Sequence, residues 1–431
     1  MRVAVVGGGI AGLAAAHALR GQAEVTLFEA DTRFGGHAHT VDVTLDGVTH
    51  GVDTGFLVFN ERTYPGLIRL FAQLGVATAA SDMSFSVQVP GAFGNRPLEW
   101  SGSSLDTVFC QRGNLLRPRF LRMLRDLLRF NRLCTLLAES GAELPLRESL
   151  ADFLARERFG AEFRDWYLLP MAACIWSCPA AQMLRFPVGT LIRFCHNHGL
   201  LQVTGRPQWY TVRGGSRRYV DAIVAGLPDV RAGTPVRRIW RGAQGVTLAT
   251  DRGSEYFDRV VLAAHSDQAL AMLADAEPDE ATVLSAIGYQ TNRAVLHTDA
   301  GMLPANQRAW AAWNYESAPP GRRGLVCLHY LINRLQPLPW QRPVIVSLNP
   351  VRPIAPQHVL AEFDYAHPVF DAAAMQAQAQ LEGLQGRRHT WFCGAWTGYG
   401  FHEDGLVSGQ AAARQLLARG SIERTAAEAF V

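Results

Sequence analysis

The chain has 431 residues, 41 Lys+Arg against 38 Asp+Glu, a net charge of +3 and 48% hydrophobic residues. All 41 basic residues are arginine, which excludes chemistry that needs an amine nucleophile: no pyridoxal Schiff base, no lysine aldolase and no phosphate-loop lysine. The balanced charge gives no nucleic-acid footprint, and seven scattered cysteines give neither a disulfide framework nor paired C-x2-C units for a structural zinc. The reading is therefore a globular enzyme of two or three domains in a reducing cytoplasm, with no metal.

The first nineteen residues have the outline of a signal peptide, but glycines at Gly7, Gly8, Gly9 and Gly12 would weaken its helix. They fit a cofactor turn better. Residues 2–6 (RVAVV) predict a buried parallel strand, and LAAAHAL after Gly12 predicts a helix. Gly7 permits the tight turn, Gly9 lets the backbone approach a pyrophosphate, and Gly12 lets helix and strand pack closely. The pyrophosphate would sit on the helix N-terminus, where free N–H groups and the dipole favour an anion. A second strand, 24–29, ends in Glu29, placed to accept hydrogen bonds from ribose hydroxyls. Strand, glycines, helix, strand and acid in register predict dinucleotide binding.

Residues 117–139 (RPRFLRMLRDLLRFNRLCTLLAE) have helical periodicity. Arg122, Arg125, Arg129 and Arg132 project from one side, and Leu121, Leu124 and Leu128 are expected to fill the opposite one. Such a helix either lies on an anionic membrane surface or packs on the core with a solvated basic face. Residues 166–179 are apolar and aromatic, suiting a hydrophobic substrate pocket or plain core. Cys174 and Cys178 are a redox pair or, more simply, two buried thiols. Cys195-His196-Asn197-His198 has the look of a metal motif but lacks further ligands.

Alternating apolar positions in 230–250 (Val236, Ile239, Val246, Leu248) predict a β-meander, and 258–265 a strand returning to the sheet. The segment 391–409 reads as strand, glycine-rich loop and helix, with Asp404 as N-cap and Gly405 and Leu406 opening the first turn. No run of roughly 18 uninterrupted apolar residues predicts a membrane span.

Taken with Glu29, the Arg33-Phe34-Gly35-Gly36-His37 run and the Asp53-Thr54-Gly55-Phe56 segment resemble the flavin amine oxidase and phytoene desaturase superfamily. That resemblance implies FAD as cofactor and an α/β fold: a Rossmann-like FAD-binding domain with a mixed α+β substrate domain. It implies that Arg33, Gly35 and Gly36 hold the pyrophosphate, that Gly55 passes near the isoalloxazine, and that Val236 contacts adenine. It also implies that Gly214-Gly215 form the family's turn into a helix, that Gly394 approaches the ribityl chain, and that the helix opened by Asp404 points its positive end at the flavin. Ile10, Ala11, Ala30, His37, Thr54, Phe56, Ala264, Gly405 and Leu406 complete the expected cofactor contacts. The FAD domain is expected from 1–80, 206–289 and 386–431, and the substrate domain from 81–205 and 290–385. One departure stands out. Where amine oxidases read A-G-E-A-T, this chain reads Cys393-Gly394-Ala395-Trp396-Thr397, so Ala395 cannot hold a ribityl hydroxyl and Trp396 is expected to wall the flavin or substrate pocket.

Amine oxidases of the superfamily place a lysine near flavin N5, which a lysine-free chain cannot do. That shifts the expectation toward dehydrogenation or desaturation of a hydrophobic, lipid acyl substrate. A closer likeness, carried by GGHAHTVDV, by residues 52–76 and by YGFHEDGLVSGQ, is to bacterial proteins that accompany cyclopropane fatty acid synthase-like methyltransferases, which implies a methyltransferase partner. His402 and Glu403 are candidate proton-transfer residues or supports for the FAD. The alternatives are an amine oxidase and a flavin-bound scaffold for a lipid-modifying methyltransferase. With no second GxGxxG for a nicotinamide cofactor, reoxidation falls to oxygen, a quinone or a partner protein.

Overall fold

The computed structural model describes residues 1–140, 148–176, 178–318 and 326–428, with side chains described to residue 420. Its organising element is a five-stranded parallel sheet in the order Asp229–Arg231, Glu24–Phe28, Arg2–Val6, Arg259–Leu262, Thr390–Phe392. Val3, Ala4 and Val5 are fully buried, as a strand covered on both faces requires. The helix Ile10–Leu19, rich in Ala and Leu, packs on this sheet and against the C-terminal helix His402–Glu428. The meander lies beside it as three antiparallel strands, Val236–Arg241, Val246–Thr250 and Gly253–Phe257. It is pinned through Arg241, whose fully buried guanidinium binds the Glu280 carboxylate and Asp275.

The second sheet has seven strands in the order Val359–Val369, Gly288–His297, Ile345–Leu348, Cys327–Leu331, Trp313–Glu316, Phe85–Phe93, Arg96–Ser101. All its pairings are antiparallel except Trp313–Glu316 with Phe85–Phe93. Inside it runs a buried polar chain. Arg352 binds both oxygens of Glu316, His329 Nε2 lies 3.1 Å from Glu316 Oε2, and Ser347 Oγ joins His329 and His297 at 2.6 Å each. Cys327 is close enough to complete a three-ligand set, but Arg352 already occupies both Glu316 oxygens. These polar groups satisfy one another, as a buried network must.

The helical part of the substrate region corrects one sequence expectation. In the helix Pro118–Glu139 the core side is filled by Phe120, Met123, Phe130 and Cys134, with Asp126 and Asn131, while Leu121 and Leu128 face solvent among the arginines. The aromatic ladder of Phe153, Phe159 and Phe163 around Phe130 decides this, because larger rings win the buried positions. Cys195 is buried, His196 faces Glu139 at 3.7 Å, and His198 stacks on Phe194, so that run does not converge on one point. Cys174 and Cys178 are buried free thiols.

The helix Ile10–Leu19 and the C-terminal helix meet backbone to backbone: a Cβ on Gly409 would lie 2.0 Å from the Ala11 carbonyl oxygen. Gly409→Ala therefore has to push two helices apart. Overpacking of this kind costs about 1–3 kcal/mol, and the check is a clearly lowered Tm in thermal melts. An unchanged Tm would contradict the close approach.

Candidate active site

The site begins where the first strand ends. Gly7 adopts φ +110°, and a Cβ on Gly12 would sit 1.8 Å from the Gly7 carbonyl oxygen, so neither position accepts another residue without displacement. Gly9 is different: it ends the turn as the helix N-cap, and a Cβ there meets nothing within 4 Å. No side chain caps this helix and no acid stands in its first turn, which leaves its orphan N–H groups facing that open space. The Gly35-Gly36 turn is stitched across it, the Gly35 amide donating to Gly8 O and a Gly36 Cβ position only 3.2 Å from Gly9 Cα. Arg33 is held alongside by donating to Gly36 O. An uncapped helix N-terminus, an open glycine and an adjacent cation fit a pyrophosphate.

Glu29 carries a structural task as well as the expected one. Its Oε2 accepts from the Gly8 amide and its Oε1 from the Asp31 amide, at 2.6 and 2.8 Å, so the carboxylate braces the turn. Ala30 follows it and is exposed. Val236 is buried at the start of the meander, and Ala264 receives the Trp396 indole N–H on its carbonyl. Trp396 is itself buried in the layer containing Ala4, Val6, Phe28 and Phe392 and covers Gly394. It is therefore core packing beneath the sheet rather than a pocket wall, because a tryptophan beside a glycine on a buried strand end fills the interior.

Asp53 is the residue whose importance sequence reasoning missed. Fully buried, it accepts from Thr40 Oγ1, from the Ser216 amide and hydroxyl, and from Gln336 Nε2, so one carboxylate joins three distant chain segments. Burial raises its pKa to about 6 against those hydrogen bonds. The signal available was its place at the end of an apolar strand, where a carboxylate has to find donors. Thr54 bonds Tyr365, Gly55 packs against His37 O, and Phe56 stacks on His402 at 3.9 Å. The Asp53–Phe56 segment thus meets the substrate-sheet strand Val359–Val369.

Here too lies a group of histidines. His37 sits 5.1 Å from the rings of both Tyr365 and His367, His39 Nδ1 bonds Tyr365, and His367 Nδ1 lies against Asn292. Burial lowers His37 well below the usual histidine range and His39 and His367 to about 4, so all three are neutral at neutral pH. His37 Nε2 is buried with no hydrogen-bond partner among the described residues.

The C-terminal loop corrects the catalytic candidates. The helix starts at His402, two residues before the expected cap, and Asp404 lies in its first turn, accepting from the Tyr399 and Phe401 amides. Burial raises its pKa to about 6. His402 is buried against Tyr219, its Nε2 2.5 Å from the Tyr219 hydroxyl, and burial drives its pKa to about 3, so it does not exchange protons near neutrality. Glu403 accepts from the Gly66 and Leu67 amides and caps the helix Pro65–Leu74. Both side chains are engaged in structural hydrogen bonds. Gly405 and Leu406 pack inward, a Gly405 Cβ lying 2.7 Å from Ile10 Cγ2, which brings this helix onto the first residue of the fingerprint helix. Ile10 and Ala11 are buried in that seam. Beside it, Trp176, Phe194, His198, Tyr399 and Phe401 form an aromatic cluster, Phe194 stacking on Phe401 at 5.0 Å.

The family profile described as "Flavin containing amine oxidoreductase" matches residues 10–417. A Mycobacterium tuberculosis protein assigned as a flavin-containing monoamine oxidase, AofH, is 27% identical over 276 residues, 61% of this chain and 56% of its own length. The chain thus spans little more than half of that relative. Among solved structures, a putrescine oxidase with a redesigned cofactor-binding site shares the fold with TM-score 0.70 at 17% identity, covering 97% of this chain and 99% of that one. Cyclohexylamine oxidase from Brevibacterium oxydans does so with 0.67 at 19%, covering 97% and 99%. A CLA-producing fatty acid isomerase from P. acnes does so with 0.66 at 16%, covering 96% and 98%.

Two outcomes follow from this geometry. Gly9→Ala is expected to fold normally and lose FAD on gel filtration, read as the flavin-to-protein absorbance ratio, whereas Gly12→Ala should lower Tm as well. Equal behaviour of the two would refute the assignment of open space to Gly9 alone. The second concerns acid. Burial holds His17, His37, His39, His198, His265, His297, His367 and His402 below their ordinary value in the folded state. Depressed bases stabilise the fold above about pH 6.5 and withdraw that stability as the pH falls, because the unfolded chain then binds more protons. Asp53 and Asp404, raised to about 6, and Glu403, raised as well, oppose this in the carboxylate range, and His329, raised to about 9, opposes it above roughly pH 6.5, but these are four groups against eight. Tm should fall from pH 7.5 to 5, less steeply in His367→Gln; a flat profile would count against the neutral histidine group.

Proposed function

The chain belongs to the family of flavin-containing amine oxidoreductases, and on that premise we propose that this FAD-dependent oxidoreductase dehydrogenates a hydrophobic, lipid acyl substrate rather than an amine. FAD, when bound, supplies the hydride acceptor, and the protein's own contribution is binding, orientation and proton handling. The turn of Gly7 to Gly12 with Arg33, Gly35 and Gly36 would hold its pyrophosphate.

One observation carries the choice of substrate: among the described residues, the surroundings of the C-terminal loop offer no free anion. Glu403 is spent on the Gly66 and Leu67 amides, Asp404 on Tyr399 and Phe401, and His402 is neutral. An alkyl chain gains from burial against an aromatic surface, whereas an alkylammonium ion would find ring faces there but no free carboxylate among the described residues to pair with. Trp176, Phe194, Tyr399 and Phe401 supply that surface and exclude water from it. His37 Nε2, buried and unpartnered among the described residues, is a neutral ring nitrogen with a vacant hydrogen-bonding position beside Tyr365 and His367.

The fold it shares with a fatty acid isomerase is compatible with an acyl substrate. A second reading, oxidation of an amine, is favoured by the 27% identity to AofH. The methyltransferase partner implied by the sequence likeness belongs to the acyl reading. A reducing cytoplasm suits the seven cysteines, all buried and free.

The test is anaerobic titration of the holoenzyme while its visible flavin band is followed. Long-chain acyl lipids should bleach it and putrescine or monoamines should not. Bleaching by amines alone would replace this reading with the second.

A further inference from the structure

We infer that the helix Pro118–Glu139 and the turn Arg112–Leu116 before it form a docking surface for an anionic lipid bilayer. The face this helix turns away from the core is not simply charged. Leu121, Leu128 and Leu136 stand on it with 42%, 57% and 57% of their surface exposed, interleaved with Arg122, Arg125, Arg129 and Arg132. The preceding turn adds Leu115 and Leu116, the latter 87% exposed, next to Arg112 and Arg117. All of these residues lie within the single stretch 112–136, so arginines and leucines are mixed at side-chain scale.

Several arginines are held in place rather than left to sweep through water. Arg117 lies over the Phe93 ring at 3.9 Å, Arg129 over Phe159 at 4.0 Å and Arg119 over Trp166 at 5.0 Å. Arg122 and Arg132 have no carboxylate within ion-pair distance among the described residues, so their charge is available to a partner. Asp126 is buried beneath the face, where it accepts from the Gly160 amide and pairs with Arg125 at 3.3 Å and Arg129 at 3.9 Å, so among the described residues the unpaired charge of the helix face is that of Arg122 and Arg132.

A lipid headgroup layer matches both halves of this chemistry. Arginine pairs with phosphate, and leucines beside it enter the acyl boundary. A nucleic acid would answer the arginines and leave the leucines unexplained. The association is with the surface of a bilayer, since no described helix is long and apolar enough to cross one. The inference is independent of the acyl reading, because an amine oxidase could carry the same surface.

The test is flotation of the FAD-loaded protein with phosphatidylcholine vesicles, with and without phosphatidylglycerol, at low and high salt. Binding is expected only with phosphatidylglycerol and should be released by salt. Arg122→Glu with Arg132→Glu should weaken it roughly tenfold or more. Leu121→Ser with Leu128→Ser should weaken it as well. Because all four side chains face solvent, flavin content and Tm serve as folding controls. No binding to phosphatidylglycerol vesicles, or equal binding to pure phosphatidylcholine, would overturn the inference. Binding lost in the arginine variant but kept in the leucine variant would overturn the role given to the leucines and leave a purely electrostatic contact with the anionic surface.

Discussion

Bare backbone contact around the helix Ile10–Leu19 is the constraint on which the rest of the molecule depends. Gly12 lets it lie on the Gly7 carbonyl, Gly409 lets the C-terminal helix lie on Ala11, and Gly36 lets the second turn close over Gly9. Each contact is one that a single methyl group would break. Together they bring segments from the two ends of the chain to one helix terminus. They leave its N–H groups beside Gly9, the glycine of this set with open space around it. The cofactor cradle is a by-product of that packing.

Asp53 does for polar groups what these glycines do for backbone. A lone buried carboxylate is costly, and here it is tolerated because Thr40, Ser216 and Gln336 bring donors from three parts of the chain. Gln336 belongs to the substrate region, so the same carboxylate fixes that region against the strand leading into Thr54, Gly55 and Phe56. The position of the substrate sheet over the cofactor turn is thereby coupled to one buried charge.

The interior where the two parts meet holds histidines desolvated to neutrality and carboxylates of the C-terminal loop bound by backbone amides. Positive charge is kept at the surface instead, on arginines laid over aromatic rings. This separation sets an aromatic cluster inside against a basic exterior.

The local parts of this arrangement were legible in the sequence: the strand–glycine–helix turn, the Arg33-Phe34-Gly35-Gly36 run, the meander and the C-terminal strand–loop–helix. Each is written in residues close together in the chain, through strand periodicity and the conformations only glycine tolerates. What side chains do at long range was not legible. The tertiary structure gave Glu29, His402 and Glu403 structural hydrogen bonds, buried Trp396 in the core, gathered donors on Asp53, and put Leu121 and Leu128 outside. Burial, hydrogen-bond partners and pKa are set by residues far away in the chain, and helical periodicity defines a face without saying which neighbour will cover it. The sequence by itself determined the cofactor turn and the family; only the folded chain decided which side chains are free to act.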